Sequence, residues 1–405
     1  MANTSNLTLD NVACAADIYA GRILYKGPIL QNAGVIRVTA GARFLQFSES
    51  TTLTGGGEMR LANGTVGTTG TPLPVTITQE PDHRLFGSGT IGVSFINNGL
   101  IEADQSFQSL RFLGQPLVNN GVIRATNGGV FERAFGGASG AGEWIADGGT
   151  IKGTSSQPDV NLIGPTRVIH GGFLGAFGLG GWSASDLTID ATSSMHVTAR
   201  LALSGNYLFE QADESKITWN AGANLIMSGG SGASCSSASW ATLEVGGSDD
   251  GVGGNGTGNF GMENIIVTEN AAVALSDFAD NGNRGGLSGT AEALYATSLT
   301  LEAGAILNLN GLHIYVGGVE RDPGPFGDGL IVDEPIHRAG DMNCDGSLNG
   351  LDVAAFVVAA LTPGDYPTQF PNCNLCTGDL DGDGQSATIE DIPLFVDALL
   401  IAQAL

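Results

Sequence analysis

A repeated pattern of turns and short strands at positions 1–180 limits the possible folds more than any other feature of this chain. Three segments share a turn and a short alternating strand: QNAGVIRV at 31–38, INNGLIEA at 96–103 and VNNGVIRA at 118–125, with glycines Gly34, Gly99 and Gly121. A second set, TGGGEMRLA, GSGTIGV and GAGEWIA, is centred on Gly57, Gly89 and Gly142. The glycines recur with a period of roughly 22 residues, which falls in the range of stacked repeat architectures.

Such short strands cannot bury their apolar side chains alone, so neighbouring units must stack and share one interior. Stacked units predict a mostly β chain in which each repeat forms one coil of a right-handed parallel β-helix, or β-solenoid. A β-sandwich is the rival all-β fold, but its strands follow one another at closer spacing and lack self-similar units. Asn119 and Asn120 precede the glycine of their repeat. Since Asn tolerates left-handed backbone angles and can stack as a hydrogen-bonded ladder, we expect this pair at a corner of the coil.

The sequence divides into four segments. Residues 1–180 are predicted to form the solenoid with its short coils. Residues 181–320 keep strand pairs such as NIIVTENAAVALSD and TSLTLEAGAILNLNG, and they continue the solenoid or form a solenoid-like β cap. Their Gly-rich stretch at 246–261 predicts a long loop. Residues 321–340 contain three Pro and predict a linker. Residues 341–405 are predicted to form a separate, small all-α domain with two acidic loops.

The charge of the chain excludes several kinds of partner. The formal net charge is −25, and only three of the 16 basic residues are Lys. An acidic surface of this kind repels phosphate backbones and anionic lipid head groups, so we expect no nucleic-acid partner. Since no apolar run is long enough to cross a bilayer, no membrane span is expected either. Cations are the natural partners of such a field.

Two acidic stretches near the C-terminus, DMNCDGSLNGLD and DLDGDGQSATIED, have the ligand spacing of calcium loops. Calcium takes six to eight oxygen ligands, which a 12-residue loop supplies from positions 1, 3, 5, 7, 9 and 12 around a Gly at position 6. An apolar helix is predicted to follow each loop, so we expect two Ca²⁺ sites whose filling is coupled to folding. The predicted metal ligands are Asp341, Asn343, Asp345, Ser347, Asn349 and Asp352 in the first loop, and Asp379, Asp381, Asp383, Gln385 and Asp391 in the second.

The second loop has an uncertain last ligand. Aligning the helices VAAFVVAAL and IPLFVDALL matches Asp391 with Asp352, whereas a strict count to the twelfth loop position ends at Glu390. An extra residue near Ser386 or Ala387 would explain the shift. Either Asp391 or Glu390 therefore closes this loop.

The two loops, each followed by a helix that opens with an acid, resemble a type I dockerin domain with its pair of EF-hand-like calcium loops. GDMNCDGSLNGLDVAAFVVAAL is similar to the dockerin-type tails of planctomycete secreted proteins, and GSGTIGVSFINNGLIEA to their repeat regions. The resemblance implies an extracellular or cell-surface protein that attaches through calcium to a partner of the cohesin type, with a possible polysaccharide nearby.

The resemblance departs from cellulosomal dockerins at the recognition positions, which are commonly Ser or Thr in that family. Those positions hold Gly350 and Leu351 in the first loop, and Ile389 and Glu390 in the second. An apolar surface around Leu351, Phe356 and Phe395 is therefore expected to dock either onto a partner or onto the protein's own solenoid.

The cysteines bear on the compartment. Cys344, Cys373 and Cys376 lie close together in the C-terminal segment, and they predict either a disulfide from Cys344 to Cys373 or Cys376, or free thiols. A disulfide implies an oxidising compartment. Cys14 and Cys235 are expected to be buried as small hydrophobes. No basic or apolar stretch typical of a signal peptide is visible in the opening segment MANTSNLTLDNVACAADIYAG.

Few residues suggest catalysis. Hydrolases and lyases of β-helix type need clustered carboxylates or a basic residue beside calcium, and the nearest fragment here is Asp249-Asp250, for which a solvated turn is the simpler interpretation. The histidines at 170, 196 and 313 lie in strand-like contexts and are predicted to pack rather than to bind a metal. Asp277, Asp280 and Asn281 predict a turn-stabilising network or a weak extra cation site.

We therefore expect a structural or binding protein: a β-solenoid scaffold with a calcium-dependent, dockerin-like attachment module, and no catalytic or organic-cofactor site. The alternative is a dockerin-bearing polysaccharide hydrolase or lyase that acts through the side of the solenoid.

Overall fold

Successive repeats form successive coils whose strands pair in parallel, and the chain is a mostly β solenoid of about 12 coils. The computed structural model describes residues 6–10, 13–14, 18–19, 22–39, 44–68, 75–113, 116–134, 138–154, 163–179, 181–230, 240–253, 259–284, 291–333, 340–343, 348–370, 373, 375–380 and 386–402. Both the predicted mostly β class and the parallel β-solenoid architecture are confirmed.

Each early coil contributes one strand to each of three faces. The first face consists of Ala13–Cys14, Ile29–Asn32, Thr51–Thr54, Thr76–Gln79, Ser94–Asn97, Leu117–Asn119 and Ala138–Ser139, followed by a second sheet of Trp182–Ala184, Arg200–Leu203, Asn224–Met227, Met262–Val267, Glu292–Leu301 and His313–Val316. Between the two sheets, Ile163 forms an isolated bridge with Ala184 of the second.

The second and third faces belong to one 24-stranded sheet, because the strands Glu58–Thr68 and Arg84–Ile91 bend across both. The other strands of the second face are Ile18–Tyr19, Val35–Thr39, Leu100–Ala103, Val122–Thr126, Glu143–Asp147, Thr166–Ile169, Leu187–Ile189, Tyr207–Phe209, Ala241–Glu244, Ala272–Ser276, Ile306–Asn308 and Gly329–Val332. Those of the third face are Asn6–Asp10, Arg22–Lys26, Phe44–Phe47, Ser109–Leu113, Val130–Ala134, Thr150–Gly153, Phe173–Ala176, Ser194–Val197 and Ile217–Trp219.

The repeat period is set by a column of glycines at the corner between the first and second faces. Ile101 lies beside Ile123, and Ile123 lies beside Trp144, so one coil of the solenoid separates each of these residues from the next. A Cβ on Gly121 would lie 2.2 Å from the Gly99 carbonyl oxygen, and one on Gly142 would lie 2.3 Å from the Gly121 oxygen. Only glycine permits coils to stack this closely, which explains why the residue recurs with the period of the coil.

One glycine of the predicted repeat occupies a different place. Gly89 was grouped with Gly57 and Gly142 by its motif, but it lies in the strand Arg84–Ile91 and pairs with Gly64 on the third face. His83 is fully buried just before that strand, and Arg84 N–H donates to the Gly57 oxygen. The grouping of Gly89 with the corner glycines is therefore wrong, because local composition does not distinguish the corners of a coil.

The predicted Asn ladder is present at the corner. Asn97 Nδ2 donates to Asn119 Oδ1 at 2.7 Å, and Gln79 Nε2 donates to Asn97 Oδ1 at 3.0 Å. On the outside of the same corner, Asn120 Nδ2 donates to Asn98 Oδ1. The inner ladder is buried and satisfies polar groups where the chain turns, so each rung fixes the register of the next coil.

The interior is one continuous apolar column. Within it, buried aromatic rings from nearby strands form a row with neighbouring ring centroids 5.3 to 5.7 Å apart: Phe95, Phe112, Phe131, Trp144 and Trp182. Edge-to-face and tilted contacts of this kind add about 0.5–1.5 kcal/mol per pair to the burial of the rings.

The coil changes after the strand Ile217–Trp219, where the described part of the third face ends. Later coils keep strands on the first and second faces. In place of a third-face strand they have longer connecting segments, one of which is the Gly-rich stretch predicted as a loop. Within that stretch, Gly247–Ser248 pairs antiparallel with the strand Glu292–Leu301, and Gly251–Gly253 forms one 3-10 turn. A further 3-10 turn spans Glu214–Lys216.

Two hairpins end the described solenoid. Val319–Glu320 folds back antiparallel on His313–Val316, and Gly324–Phe326 pairs antiparallel with Gly329–Val332. The latter strand also pairs in parallel with Ile306–Asn308. Residues 324–332, which the sequence assigns to a linker, thus form the last rung, because the Gly-Asp turn at 327–328 lets the apolar segment that follows stack on the coil. Residues 334–339 of that predicted linker lie outside the described part.

Residues 340–402 carry the helices. They are α1 at Asp352–Leu361, the one-turn α2 at Tyr366–Gln369 and α3 at Asp391–Ala402, with a 3-10 turn at Leu375–Gly378. This segment has its own core, built from Met342, Ala355, Phe356, Ala359, Tyr366, Ala387 and Phe395. Within the described ranges, no helix has the length and apolar character needed to cross a membrane.

Candidate functional site

The described ends of the first predicted calcium loop converge on the start of α1. Asp341 and Asp352 are both buried, and Asp352 is the first residue of the helix. Asp352 Oδ1 accepts from the Asn343 N–H at 3.0 Å, and its Oδ2 accepts from the Asn349 N–H at 2.8 Å. The carboxylate therefore turns back into the loop and draws its two ends together.

The second loop repeats this arrangement at the start of α3. Asp391 is fully buried; its Oδ1 accepts from the Leu380 N–H at 2.7 Å and its Oδ2 from the Thr388 N–H at 2.7 Å. Glu390 is exposed. Of the two candidates for the last position of this loop, Asp391 is the one that faces the loop.

The backbone near the predicted insertion of the second loop is left-handed. Ala387 has φ +55°, and its N–H donates to the Gly378 oxygen at 2.8 Å. Residues 381–385 of this loop lie outside the described part, so the extra residue stays a prediction.

The charge of this segment is unbalanced. Ten carboxylates and no Lys or Arg follow Arg338 in the sequence. Asp341, Asp352, Asp379 and Asp391 are each no more than 3% exposed. Burying carboxylates without a nearby cation costs several kcal/mol per group, even where backbone N–H groups satisfy some of the lone pairs. The donor chemistry, carboxylate and amide oxygens, fits a hard cation such as Ca²⁺.

Tyr366 shows that the two ends of the first loop share one environment. Its hydroxyl donates to the Met342 oxygen at 2.6 Å, inside the core of the segment. Burial raises the pKa of Tyr366, and the negative charges of Asp341 and Asp352 raise it further. The Tyr366 hydroxyl therefore stays protonated and acts as a hydrogen-bond donor.

Five of the eleven predicted metal ligands lie outside the described residues: Asp345, Ser347, Asp381, Asp383 and Gln385. In the described part of the chain, no three His, Cys, Asp or Glu side chains are grouped closely enough to hold a metal ion. The ligands in described positions are Asp341, Asn343, Asn349, Asp352, Asp379 and Asp391. The two calcium sites remain a prediction.

Cys373 is disulfide-bonded. Cys344 lies outside the described residues, as does the side chain of Cys376. The choice of partner within the predicted pairings therefore stays a prediction.

The two helices present matching apolar stripes to solvent. Val353, Val357 and Leu361 follow one another at every fourth residue along α1, and each is at least 43% exposed. The same spacing recurs along α3 in three residues that are at least 44% exposed: Ile392, Val396 and Leu400. Residues four apart lie on one side of a helix, so each helix carries one continuous apolar stripe.

The expected docking surface around Leu351, Phe356 and Phe395 is only partly correct. Leu351 is 68% exposed, but Phe356 and Phe395 are buried and stack on each other with centroids 4.2 Å apart. Each phenylalanine lies four residues after the acid that opens its helix, so the two form the centre of the segment's core. The exposed surface comes from the stripes instead.

The Asp249-Asp250 fragment is only partly the solvated turn that the sequence predicts. Asp249 belongs to the Gly-rich stretch, but it is buried. Its Oδ1 accepts from the Tyr315 hydroxyl at 2.7 Å, and its Oδ2 lies 2.8 Å from His313 Nδ1. Asp250 is exposed and accepts from Ser248 Oγ. The interpretation of Asp249 was wrong because its partners are distant in the sequence, on a strand of the first face.

Two stacked tyrosines line a cavity next to this contact. Tyr295 and Tyr315 have centroids 4.9 Å apart, and the Tyr295 hydroxyl donates to the Ser248 oxygen while it accepts from the Asp250 N–H. The cavity beside them has a volume of about 370 Å³ and is also lined by Met262, Glu263 and Thr297. Burial and the hydrogen bond to Asp249 raise the pKa of Tyr315, so this hydroxyl is a donor and not a base.

The other two histidines are held on the surface of the solenoid. His170 Nδ1 lies 2.7 Å from Asp147 Oδ1, and its backbone N–H donates to Asp190. His196 Nε2 lies 2.8 Å from Asn220 Oδ1. Each of the two imidazole rings thus contacts a polar side chain. His170 is largely exposed, so it does not pack as predicted.

The predicted network of Asp277, Asp280 and Asn281 is present. Asp277 binds the Arg284 guanidinium, Asp280 Oδ1 accepts from the Gly282 N–H, and Asn281 Nδ2 donates to the oxygens of Phe209 and Gln211. Two buried glutamates that meet this network, Glu244 and Glu292, were not predicted. A glutamate beside apolar residues, at the end of one strand (TLEVG) and at the start of another (EALYA), was the available signal.

Comparison with known proteins finds no protein-family model, no curated protein and no solved structure that matches this chain.

Proposed function

We propose that this chain is a secreted or cell-surface scaffold whose β-solenoid serves as a rigid spacer or binding surface, and whose residues 341–405 form a dockerin-like, calcium-dependent attachment module. The observation that carries the proposal is the duplication in that module. Asp352 and Asp391 open two helices, are fully buried, and accept N–H groups from their own loops in the same way.

Calcium is the proposed ligand because the module buries carboxylates and contains no basic side chain. The ligands would be Asp341, Asn343, Asp345, Ser347, Asn349 and Asp352 at one site, and Asp379, Asp381, Asp383, Gln385 and Asp391 at the other. A bound cation would neutralise each loop and hold it against its helix, so that the binding free energy contributes to the folding of the module.

The proposed partner is a protein, because α1 and α3 each expose an apolar stripe whose residues are not part of the segment's own core. Surfaces of this kind mark interaction sites in soluble proteins. A cohesin-type module is one occupant suggested by the dockerin resemblance, and the protein's own solenoid is the other.

Isothermal titration of the chelator-treated full chain with CaCl₂ tests the metal sites. The wild-type chain should bind two Ca²⁺ ions, and Asp352→Asn and Asp391→Asn should each remove one. Glu390→Gln and the exposed control Asp397→Asn should keep both sites. Absence of binding at millimolar calcium would contradict the proposal, and loss of a site in Glu390→Gln alone would reassign the last ligand.

The partner is tested with the double variant Val357→Ser, Val396→Ser, which interrupts both stripes and leaves the acidic residues intact. We expect it to bind calcium like the wild type. If the partner is the solenoid, calcium should slow hydrogen exchange on the solenoid of the wild type but not of the variant. If it is a cohesin-type module, calcium-dependent binding of that module in trans should be lost. If the double variant behaves like the wild type in both measurements, the docking role of the stripes is refuted.

A polysaccharide hydrolase or lyase remains the second candidate, and one observation favours it. Asp249 is buried and holds Nδ1 of the part-exposed His313, and the other ring nitrogen, Nε2, lies 4.0 Å from Glu320 Oε1. Turnover of pectin, alginate or a sulfated glycan that disappears in His313→Ala would establish this candidate. If the wild type and His313→Ala show the same turnover on all three polysaccharides, this candidate is excluded.

A further inference from the structure

The loop from Asp277 to Arg284 is tied to several coils of the solenoid. Asn281 Nδ2 donates to the oxygens of Phe209 and Gln211, each at 3.0 Å. Asn283 Nδ2 donates to the Gly246 oxygen at 2.6 Å, at the start of the Gly-rich stretch. The loop therefore fastens this stretch to an earlier coil.

Two buried glutamates hold the backbone of this loop from below. Glu292 Oε1 accepts the N–H groups of Asn281 and Asn283, at 3.0 and 3.1 Å. Glu244 Oε1 accepts the Ala279 N–H at 2.7 Å, and its Oε2 lies 2.8 Å from Ser276 Oγ. Both glutamates are 1% exposed.

Among the described residues, two oxygens in this cluster have no hydrogen-bond partner: Glu292 Oε2 and Asn281 Oδ1, both buried. They belong to residues already in contact, since the Asn281 N–H donates to the other oxygen of the same carboxylate. With Glu292 ionised, both orphans are acceptors and neither can satisfy the other. A proton on Oε2 turns this oxygen into a donor for the Asn281 amide.

We propose that Glu292 is protonated in the fastened state of the loop and donates from Oε2 to Asn281 Oδ1. The loop and the Gly-rich stretch are then fastened at acidic to neutral pH and released in mildly alkaline solution.

The charges around the pair favour this protonation. Asp277 and Asp280 on the loop are acidic, and the one basic group nearby, Arg284, is engaged by Asp277 at 2.7 Å. Burial raises the pKa of Glu244 to about 8, and the negative charges of Asp277 and Glu292 add to this. Burial raises the pKa of Glu292 to about 7, with Asp277 again adding and Arg284 opposing.

The sign of the pH effect follows from these pKa values. A carboxyl whose pKa is higher in the fastened state than in the free chain stabilises that state fully at pH below its free value. The stabilisation is lost as the pH rises through the raised pKa. For Glu292 alone, the equilibrium for opening the loop should increase roughly 10- to 30-fold between pH 5.5 and pH 8.5.

Hydrogen exchange of the full chain, read by mass spectrometry at pH 5.5, 7.0 and 8.5 and corrected for intrinsic exchange, measures this opening. Peptides that contain Asn281 and Asn283 should lose protection as the pH rises, while peptides from the strands Val122–Thr126 and Glu143–Asp147 should not. Glu292→Gln keeps the accepting Oε1 and supplies an N–H donor toward Asn281 Oδ1. It should therefore weaken the pH dependence, and the double variant with Glu244→Gln should abolish it.

Asp280→Asn is the matched control, since Asp280 is exposed and Asn keeps an acceptor for the Gly282 N–H. It should leave the pH profile as in the wild type. A flat wild-type profile would overturn the proposal and point to a bridging water between the two orphan oxygens. Restoration of protection at pH 8.5 by 1 mM CaCl₂ would overturn it in favour of a cation in the same place. Because the readout is local to the loop, neither outcome bears on the calcium sites proposed in the tail.

Discussion

Replacing Gly121 with alanine should force two coils of the solenoid apart. The new Cβ would lie 2.2 Å from the Gly99 oxygen, 2.7 Å from the Asn98 carbonyl carbon and 2.8 Å from the Gly99 nitrogen. All three partners are backbone atoms of the coil below, so no side chain can rotate to make room. Relief requires a shift of about 1 Å between coils, well beyond what close-packed interiors absorb without cost.

The magnitude follows from what this shift disrupts. The Gly121 N–H donates to the Asn97 oxygen at 3.0 Å, and the Val122 N–H donates to the Gly99 oxygen at 2.9 Å. Weakening two buried hydrogen bonds costs about 1 kcal/mol each, and overpacking adds about 1–3 kcal/mol. Gly121→Ala should thus lower the free energy of unfolding by about 3–5 kcal/mol, a change that urea titration followed by the fluorescence of Trp144 and Trp182 can resolve.

Gly92→Ala is the matched control, because its nearest contact would be the Val66 oxygen at an ordinary 3.6 Å. It should change the free energy of unfolding by less than about 1 kcal/mol in either direction. Hydrogen exchange in peptides containing residues 99 and 121 shows whether the loss is local, as expected for a stack of coils. The reasoning is refuted if Gly121→Ala is as stable as Gly92→Ala.

Three further predictions concern buried polar groups. Asn119→Leu removes a rung of the ladder and should cost about 2–3 kcal/mol in urea unfolding, since the amide of Asn97 loses its acceptor; an unchanged midpoint would contradict this. Asp249→Asn should loosen the Gly-rich stretch and speed proteolysis there, while His313→Gln, which keeps a polar partner, should have the smaller effect. The free energy of unfolding of the wild type should fall by about 2–4 kcal/mol between pH 5 and pH 8.5, because the pKa of Glu244 is raised to about 8 and its protonated form stabilises the fold. Glu244→Gln should remove most of this pH dependence.

The solenoid was predictable because its chemistry repeats. Gly99 and Gly121 occupy equivalent corners, and the same short contact with the coil below excludes any side chain at both. Because the same need for glycine recurs at this corner from coil to coil, glycine recurs in the sequence with the period of the coil. Gly89 was misplaced because Gly87 and Gly89 meet a different corner with a similar local motif, and only the pairing partner on the next coil distinguishes the two.

The parts that could not be predicted depend on contacts between distant segments. Asp249 lies in a stretch whose glycines predict an exposed loop, yet its partners are His313 and Tyr315 on a strand three coils later. In α1, the run VAAFVVAAL is apolar on every side, so its period does not tell that Phe356 is buried and Val357 exposed. Asp352 and Asp391 were correctly predicted to open their helices, because that signal is local and is set by spacing within a single short loop.

The carboxylates of this chain are compensated in different ways along its length. On the solenoid surface, Glu132 is bound by both Arg111 and Lys152, and Asp147 pairs with Arg124, so charge is balanced between neighbouring coils. At the excursion beyond the third face, the proposed proton on Glu292 compensates this buried carboxylate instead. After Arg338 the sequence has no basic side chain, and two of its buried acids, Asp352 and Asp391, open helices. The acidic loops therefore have no basic side chain within their own segment, and this is why we propose calcium for the tail and not for the solenoid.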